Sequence, residues 1–296
     1  MMMDKVAFQA LGFGLLAAFF WGTHSVIVRF LTADLGGIAI AVLRLYIAAA
    51  ALVIILRLLR HKFTIPWRDK YFLLTVFGAT TNYIFFHLGL ERTTASNAMM
   101  LENTAPFFVL MAGFVLASEK VRPVDVAATL VAIFGVFYTV KDDIALGGAS
   151  FTGDLLELAA GATWAIFIVG SSRVLVNTNT TAERISFLAA VFLVSAVLLT
   201  PLLAYYPVEV GPITGLDVVL LVLLGILPTA VAYYLWYEAA ARTTAIRSAL
   251  LFTLSIVFTF INANIFLGEA LTPDLLIGAI LIVIGVLMPK LLGGKN

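Results

Sequence analysis

The sequence predicts an all-α integral membrane protein with ten transmembrane helices, arranged as two inverted five-helix repeats. Three observations predict it. The chain has 296 residues, 62% of them hydrophobic and 12% charged, against about 45–50% apolar and ~25% charged in an average soluble domain. Its apolar residues fall in runs long enough to cross a bilayer. Its basic residues collect on one side of the resulting span map, and part of the first half recurs in the second.

Composition narrows the function classes. A soluble protein of this size leaves roughly a quarter of its unfolded area in water, too much for so few polar residues to cover. Disordered chains are poor in apolar residues, so disorder is excluded too. The net charge is +1 and there is no basic tract, so no nucleic-acid partner is expected. Without cysteine there is no disulfide, thiol nucleophile or thiolate metal site. Only His24, His61 and His87 are present, with no H-E-x-x-H pair and no P-loop. No metal, cofactor or catalytic residue is therefore expected. Lys5 precedes about 25 apolar residues, too long for a cleavable signal core, and reads as the edge of a retained first span.

A span needs about 20 apolar residues. The runs place spans at 7–31, 37–58, 71–90, 96–117, 124–140, 154–176, 185–205, 216–240, 246–267 and 273–292. They are continuously apolar rather than alternating, which selects helices over barrel strands. With the N-terminus in the cytoplasm, cytoplasmic segments hold Lys5, Arg57, Arg60, Lys62, Arg68, Lys70, Lys120, Arg122, Arg173, Arg184, Arg242, Arg247, Lys290 and Lys295. External loops hold only Arg92 and Lys141. Positive charge stays inside, so both termini are expected in the cytoplasm, with the chain in the plasma (inner) membrane.

A shift of 150 residues aligns Arg92-Thr93-Thr94-Ala95 with Arg242-Thr243-Thr244-Ala245, Tyr83 with Tyr233, Glu119 with Glu269 and Pro123 with Pro273. Over 92–137 against 242–287, 10 of 46 positions are identical without a gap. Trp21 and Trp164 make a looser match. Each unit holds five spans, an odd number, so the halves 1–145 and 146–296 must insert in opposite senses. Inverted repeats place a transporter's substrate site near the midplane between them.

These residues resemble the drug/metabolite transporter superfamily in its EamA-type ten-helix form. The resemblance rests on Phe20-Trp21-Gly22, on Pro106 in the fourth span, and on the Ser118-Glu119-Lys120 corner with Pro123 and Gly135. Leu267-Gly268-Glu269-Ala270, Pro273 and Gly285 echo that corner. It implies a secondary transporter exporting small amphiphilic metabolites, amino acids first, like the bacterial aromatic amino-acid exporters. Ile256 stands where the family often carries a second proline, which argues against a matching kink in the ninth span.

Ionisable groups at membrane depth cost at least about 2.5–3.5 kcal/mol each and usually face a cavity or one another. His24, Arg44, His87, Glu102 and Glu157 all map to the outer half of the bilayer. Arg44 is expected to pair with Glu102 or Glu157, as a gate or a structural lock. His87 is the candidate for titration near neutral pH. Aromatic and polar stripes at helical spacing add Trp21, Tyr83, Trp164, Tyr233 and Tyr237 as cavity lining. Asn103 joins them, since Pro106 frees a carbonyl one turn back. Pro106 and Pro228 are the candidate hinges, and Pro201 is a further kink. Asn262 and Asn264 read as interhelical hydrogen-bonding groups, and Glu119 and Glu269 as corner caps or tethers. Ala128, Ala132, Gly135, Gly278 and Gly285 permit close approach of the fifth and tenth spans.

The expected partners are a small-molecule substrate and the lipid bilayer, with protons as the open coupling ion, and the chain is expected to act as a monomer or weak homodimer. Two alternatives stay open, a membrane enzyme acting on a lipid-linked substrate and a passive channel.

Overall fold

The computed structural model describes residues 5–116, 121–146 and 150–292. Ser118, Glu119, Lys120 and Lys295 lie outside the described residues. Helices occupy each stretch read as a span. They are α1 (Lys5–Leu31), α2 (Gly37–Leu58), α3 (Lys70–Leu90), α4 (Ala95–Glu102), α5 (Ala105–Leu116), α6 (Pro123–Leu146) and α7 (Ser150–Leu175). After them come α8 (Thr181–Leu199), α9 (Gly215–Leu224), α10 (Ala232–Ala240), α11 (Ala245–Phe252), α12 (Ser255–Leu267) and α13 (Pro273–Leu291). Among the described residues, seven helical stretches are long and apolar enough to cross a membrane. Pro123–Tyr138 and Pro273–Pro289 are shorter apolar helices.

Helix ends follow from capping chemistry. Asp69 accepts from the N–H groups of Tyr71 and Phe72, and Thr94, Thr244 and Thr272 each cap the helix that follows. Thr180 with Glu183 and Thr214 with Asp217 form capping boxes. These orphan N–H groups need partners because no intrahelical carbonyl reaches them.

Four stretches depart from a plain helix. The fourth span breaks at Asn103-Thr104, and Pro106 sits in the first turn of α5. Proline is tolerated there because the missing N–H is one of the orphans. Pro106 therefore opens a new helix and is not a bend within one. Pro228 lies inside a π-helical turn, Gly225–Val231, between α9 and α10. Thr229 donates its hydroxyl to the Leu224 carbonyl at 2.7 Å across this widened turn. Pro201 begins a short 3-10 turn, Thr200–Ala204.

The fourth departure corrects the reading of Ile256. Helices α11 and α12 are separated at Thr253-Leu254, 150 residues after the Asn103-Thr104 break, with no proline present. Hydroxyl groups make the break. Thr253 Oγ1 donates to the Leu250 carbonyl at 2.6 Å, and Ser255 Oγ donates to that of Phe252 at 2.7 Å. The backbone tightens to i−3 bonds at Thr253, Leu254 and Ile256. Serine and threonine back-bonding competes with the helical ladder.

Close helix contacts use small residues. Helices α6 and α13 pack together. A Cβ on Gly135 would lie 2.8 Å from the Gly278 carbonyl oxygen, and one on Gly285 would lie 2.7 Å from that of Ala128. The small residues at 128, 132, 135, 278 and 285 thus serve this internal contact. Gly285→Val is expected to destabilise the protein by about 1–3 kcal/mol through overpacking, read as a lower melting temperature in detergent. A melting temperature equal to the parent's contradicts it.

The ends of the bundle are tied by polar groups. Glu269 accepts from Ala95 N at 3.2 Å, from Ser96 N at 3.3 Å and from the Ser96 hydroxyl. This corner acid thus adds to the Thr94 cap of α4 from another part of the chain. Asn264 donates to the Glu269 carbonyl, and Asn262 reaches the Gly22 carbonyl on α1 at 3.0 Å. Leu35 and Glu209 form an isolated antiparallel bridge that joins the α1–α2 turn to the loop before α9. At the other end of α11–α12, Asp125 accepts from Arg122 at 3.2 Å and Arg247 at 3.3 Å. Glu238 pairs there with Arg184 at 2.8 Å and Arg242 at 2.6 Å.

Candidate functional site

The interior of the bundle holds one cluster rich in aromatic and polar side chains. Helix α1 supplies Trp21 and His24, three apart and therefore on one face. Helix α3 supplies Asn82, Tyr83, Phe86 and His87, which follow the same spacing. Glu102 and Phe252 are the last residues of α4 and α11, each set at its helix's break. Trp164 comes from α7 and Tyr233 from α10. Together they line a cavity with ≈ 10 Å³ available to the centre of a water molecule, room for about one water. This space is smaller than an amino acid.

Ring contacts form its walls. Trp21 meets Trp164 at 5.8 Å, Tyr233 at 5.2 Å and Phe252 at 5.0 Å, all edge to face. Trp164 stacks on Phe167 at 4.4 Å. The quadrupoles of such rings favour edge-to-face and offset geometries. The Tyr83 hydroxyl donates to that of Tyr233 at 3.3 Å, so residues 150 apart meet across the cavity.

The polar groups are individually anchored. The Asn82 amide donates to Glu102 Oε1 at 2.9 Å and to the Ala160 carbonyl at 3.0 Å. That fixes the carboxyl group against α7. His87 Nδ1 donates to the Tyr83 carbonyl at 2.8 Å, since a carbonyl only accepts. Its Nε2 has no hydrogen-bond partner among the described residues. His24 stacks on Phe86 at 4.6 Å. Its Nε2 accepts from Arg44 Nη1, because a guanidinium only donates.

Arg44 is fully buried on α2. Its Nε and Nη2 donate to Thr229 Oγ1 at 3.0 and 2.8 Å, and its Cζ lies 5.2 Å from the Tyr83 ring centre. The expected ion pair with Glu102 or Glu157 is not made. Helix α2 packs on the π-helical turn, which turns the guanidinium to Thr229, while Glu102 faces Asn82 on α3. Glu157 is buried on α7 against Gly89, where a Cβ would sit 2.6 Å from Oε1. Neither carboxyl oxygen of Glu157 has a hydrogen-bond partner among the described residues.

Of the residues expected to line a cavity, Trp21, His24, Tyr83, His87, Trp164 and Tyr233 come together, and Glu102 joins them from the gating set. Asn103 does not. Its amide turns back to the Met99 carbonyl at 2.7 Å and closes the end of α4. Tyr237 is buried one turn beyond Tyr233, near Phe167 at 6.1 Å, outside the lining. Sequence reasoning missed Asn82, Phe86 and Phe252. Asn82 and Phe86 neighbour Tyr83 on its helix, and Phe252 follows Glu102 by the repeat offset of 150, so both signals were available.

The profile of the EamA-like transporter family matches residues 9–141 and again 151–289. The chain belongs to the EamA-like transporter family. An uncharacterized transporter of Archaeoglobus fulgidus is 26% identical over 276 residues, covering 92% of this chain and 95% of that one. The threonine/homoserine exporter RhtA of Escherichia coli K12 is 30% identical over 227 residues, covering 73% of this chain and 72% of its own. A solved crystal structure, 21% identical, superposes with a TM-score of 0.76 over 96% of each chain and shares the fold. This EamA-like protein is a multi-pass membrane transporter of small molecules and not an enzyme.

Proposed function

We propose that this transporter exports small amphiphilic metabolites, neutral or aromatic amino acids first, by alternating access around the cavity between its two family-matched stretches. The cavity carries the reading. It lies where elements of both stretches meet, and its walls combine aromatic faces with a few fixed polar groups. Similarity to a threonine/homoserine exporter supports the amino-acid class.

The two stretches are proposed to be inverted five-span repeats, 1–145 and 146–296, giving ten crossings. The paired breaks at 103–104 and 253–254, and Tyr83 meeting Tyr233, support that arrangement. Both termini then lie in the cytoplasm of a cell whose plasma membrane holds the protein, a reading that the distribution of basic residues supports. Trp21, His24, Tyr83, His87, Trp164 and Tyr233 form the substrate site. Arg44, Glu102 and Glu157 are its gating and charge-bearing residues, and the Pro106 and Pro228 segments its hinges. The protein works as a monomer or weak homodimer.

Counterflow in proteoliposomes tests the reading. Saturable exchange of at least one neutral amino acid is expected, and failure of all of them overturns the substrate class. Linear flux would indicate a channel. Proton coupling through His87 has its own test. Counterflow between pH 5.5 and 8.5 is expected to vary in the parent, and His87→Gln is expected to flatten that dependence. An unchanged profile removes His87 from the coupling.

A further inference from the structure

We infer that the cavity recognises the ammonium end of its cargo, with Glu102 as counter-ion inside an aromatic box, and leaves the carboxylate end without a charged partner. The inference rests on the carrier reading above and specifies its ligand chemistry.

The charge inventory of the cavity decides it. Glu102 is the one carboxylate among the lining residues, and no lysine or arginine lines the space. The guanidinium nearest to it, Arg44, has Nε and Nη2 on Thr229 and Nη1 on His24. The Thr229 hydroxyl is itself tied to the Leu224 carbonyl. Asn82 spends both amide protons, one on Glu102 Oε1 and one on Ala160. It is a positioning residue that holds the carboxyl group at the end of α4. The same cavity is lined by the rings of Trp21, Tyr83, Trp164 and Tyr233. Ring faces attract ammonium groups, and methylated amines are held in this way by aromatic cages. Arg44 stands behind the lining, over the Tyr83 ring and bonded to His24, so a carboxylate inside the cavity would touch only neutral donors.

The lining is also lopsided along the chain. Every polar lining group other than Tyr233 and the Trp164 indole comes from the first matched stretch. The positions 150 residues after Asn82, His87 and Glu102 hold Ala232, Tyr237 and Phe252. The first stretch therefore reads the polar end of the cargo and the second its apolar body.

The expected cargo class is an amphiphilic primary amine, of which an amino acid is one instance. The test is competition in proteoliposome counterflow of labelled phenylalanine, with thermal-shift binding in detergent as a second readout. Phenylalanine, phenylethylamine and N-acetylphenylalanine are compared on the parent and on Glu102→Gln. Phenylethylamine is expected to bind within about tenfold of phenylalanine, and N-acetylphenylalanine not to bind. Glu102→Gln is expected to weaken both amines about 30-fold or more. Binding of N-acetylphenylalanine without phenylethylamine overturns the inference and keeps the carrier. Binding of phenylethylamine without exchange of any amino acid supports the inference and overturns the amino-acid reading. Binding of none of the three overturns both. If Glu102→Gln does not fold, the three-ligand comparison on the parent decides alone.

Discussion

Replacing Arg44 with methionine is expected to abolish transport while leaving the protein folded. Arg44 is completely buried, and its hydrogen-bond partners are the neutral His24 and Thr229. A cation brought to membrane depth costs at least about 2.5–3.5 kcal/mol. Hydrogen bonds involving charged groups return about 1.5–3 kcal/mol each. The three bonds together match or exceed that cost, but an apolar side chain of similar volume needs no such compensation and often replaces a buried ionic group at little net cost. Methionine leaves Thr229 bonded to Leu224 and removes one donor from His24. A melting temperature within a few degrees of the parent is therefore expected. Transport is different, because this one side chain joins α1, α2 and the π-helical turn, and so both matched stretches. Losing about 3 kcal/mol of coupling lowers the rate about 100-fold or more. Thermal unfolding and counterflow on the same preparation check the pair of outcomes. An unfolded variant contradicts the first, and normal transport the second.

Trp21→Ala is expected to damage both properties. Trp21 is 2% exposed and meets three rings edge to face. Tryptophan-to-alanine changes in packed interiors cost about 3–5 kcal/mol. At roughly 2–4 °C per kcal/mol this lowers the melting temperature by on the order of 10 °C. Transport is expected to fall at least about tenfold, since Trp164, Tyr233 and Phe252 lose the edge that holds them at the cavity. Trp21→Phe restores part of the stability by keeping a ring. Scanning fluorimetry of the two variants settles the matter, and equal melting temperatures for alanine and phenylalanine contradict it.

Much of the fold was legible because the chain leaves few options. Charged residues are rare enough to punctuate the apolar runs, so helix ends fall within a few residues of the boundaries read from them. The lining was legible where one helix carries a face, as in Trp21 with His24 or Tyr83 with His87. It was not legible where two helices decide the outcome. Arg44 with Glu102 is the plainest case, since opposite charges at one depth invite pairing, yet α2 faces the π-helical turn and α4 faces Asn82. Asn103 failed for a related reason, because an amide at the end of a short helix finds its own carbonyls first. The break at Thr253-Leu254 carries no proline to mark it, and hydroxyls at 253 and 255 do the same work.

Those two breaks differ in one respect. Pro106 has no N–H to offer the Glu102 carbonyl, so the interruption between α4 and α5 is permanent. Ile256 keeps its N–H, and the Phe252 carbonyl is held by a serine hydroxyl that a rotation of one side-chain bond releases. The second interruption is therefore reversible. A straight, continuous helix is chemically available at 252–256 and forbidden at 102–106. A shape change that straightens one of these two elements is confined to the later half of the chain, while the Pro106 segment keeps its break and can only pivot about it.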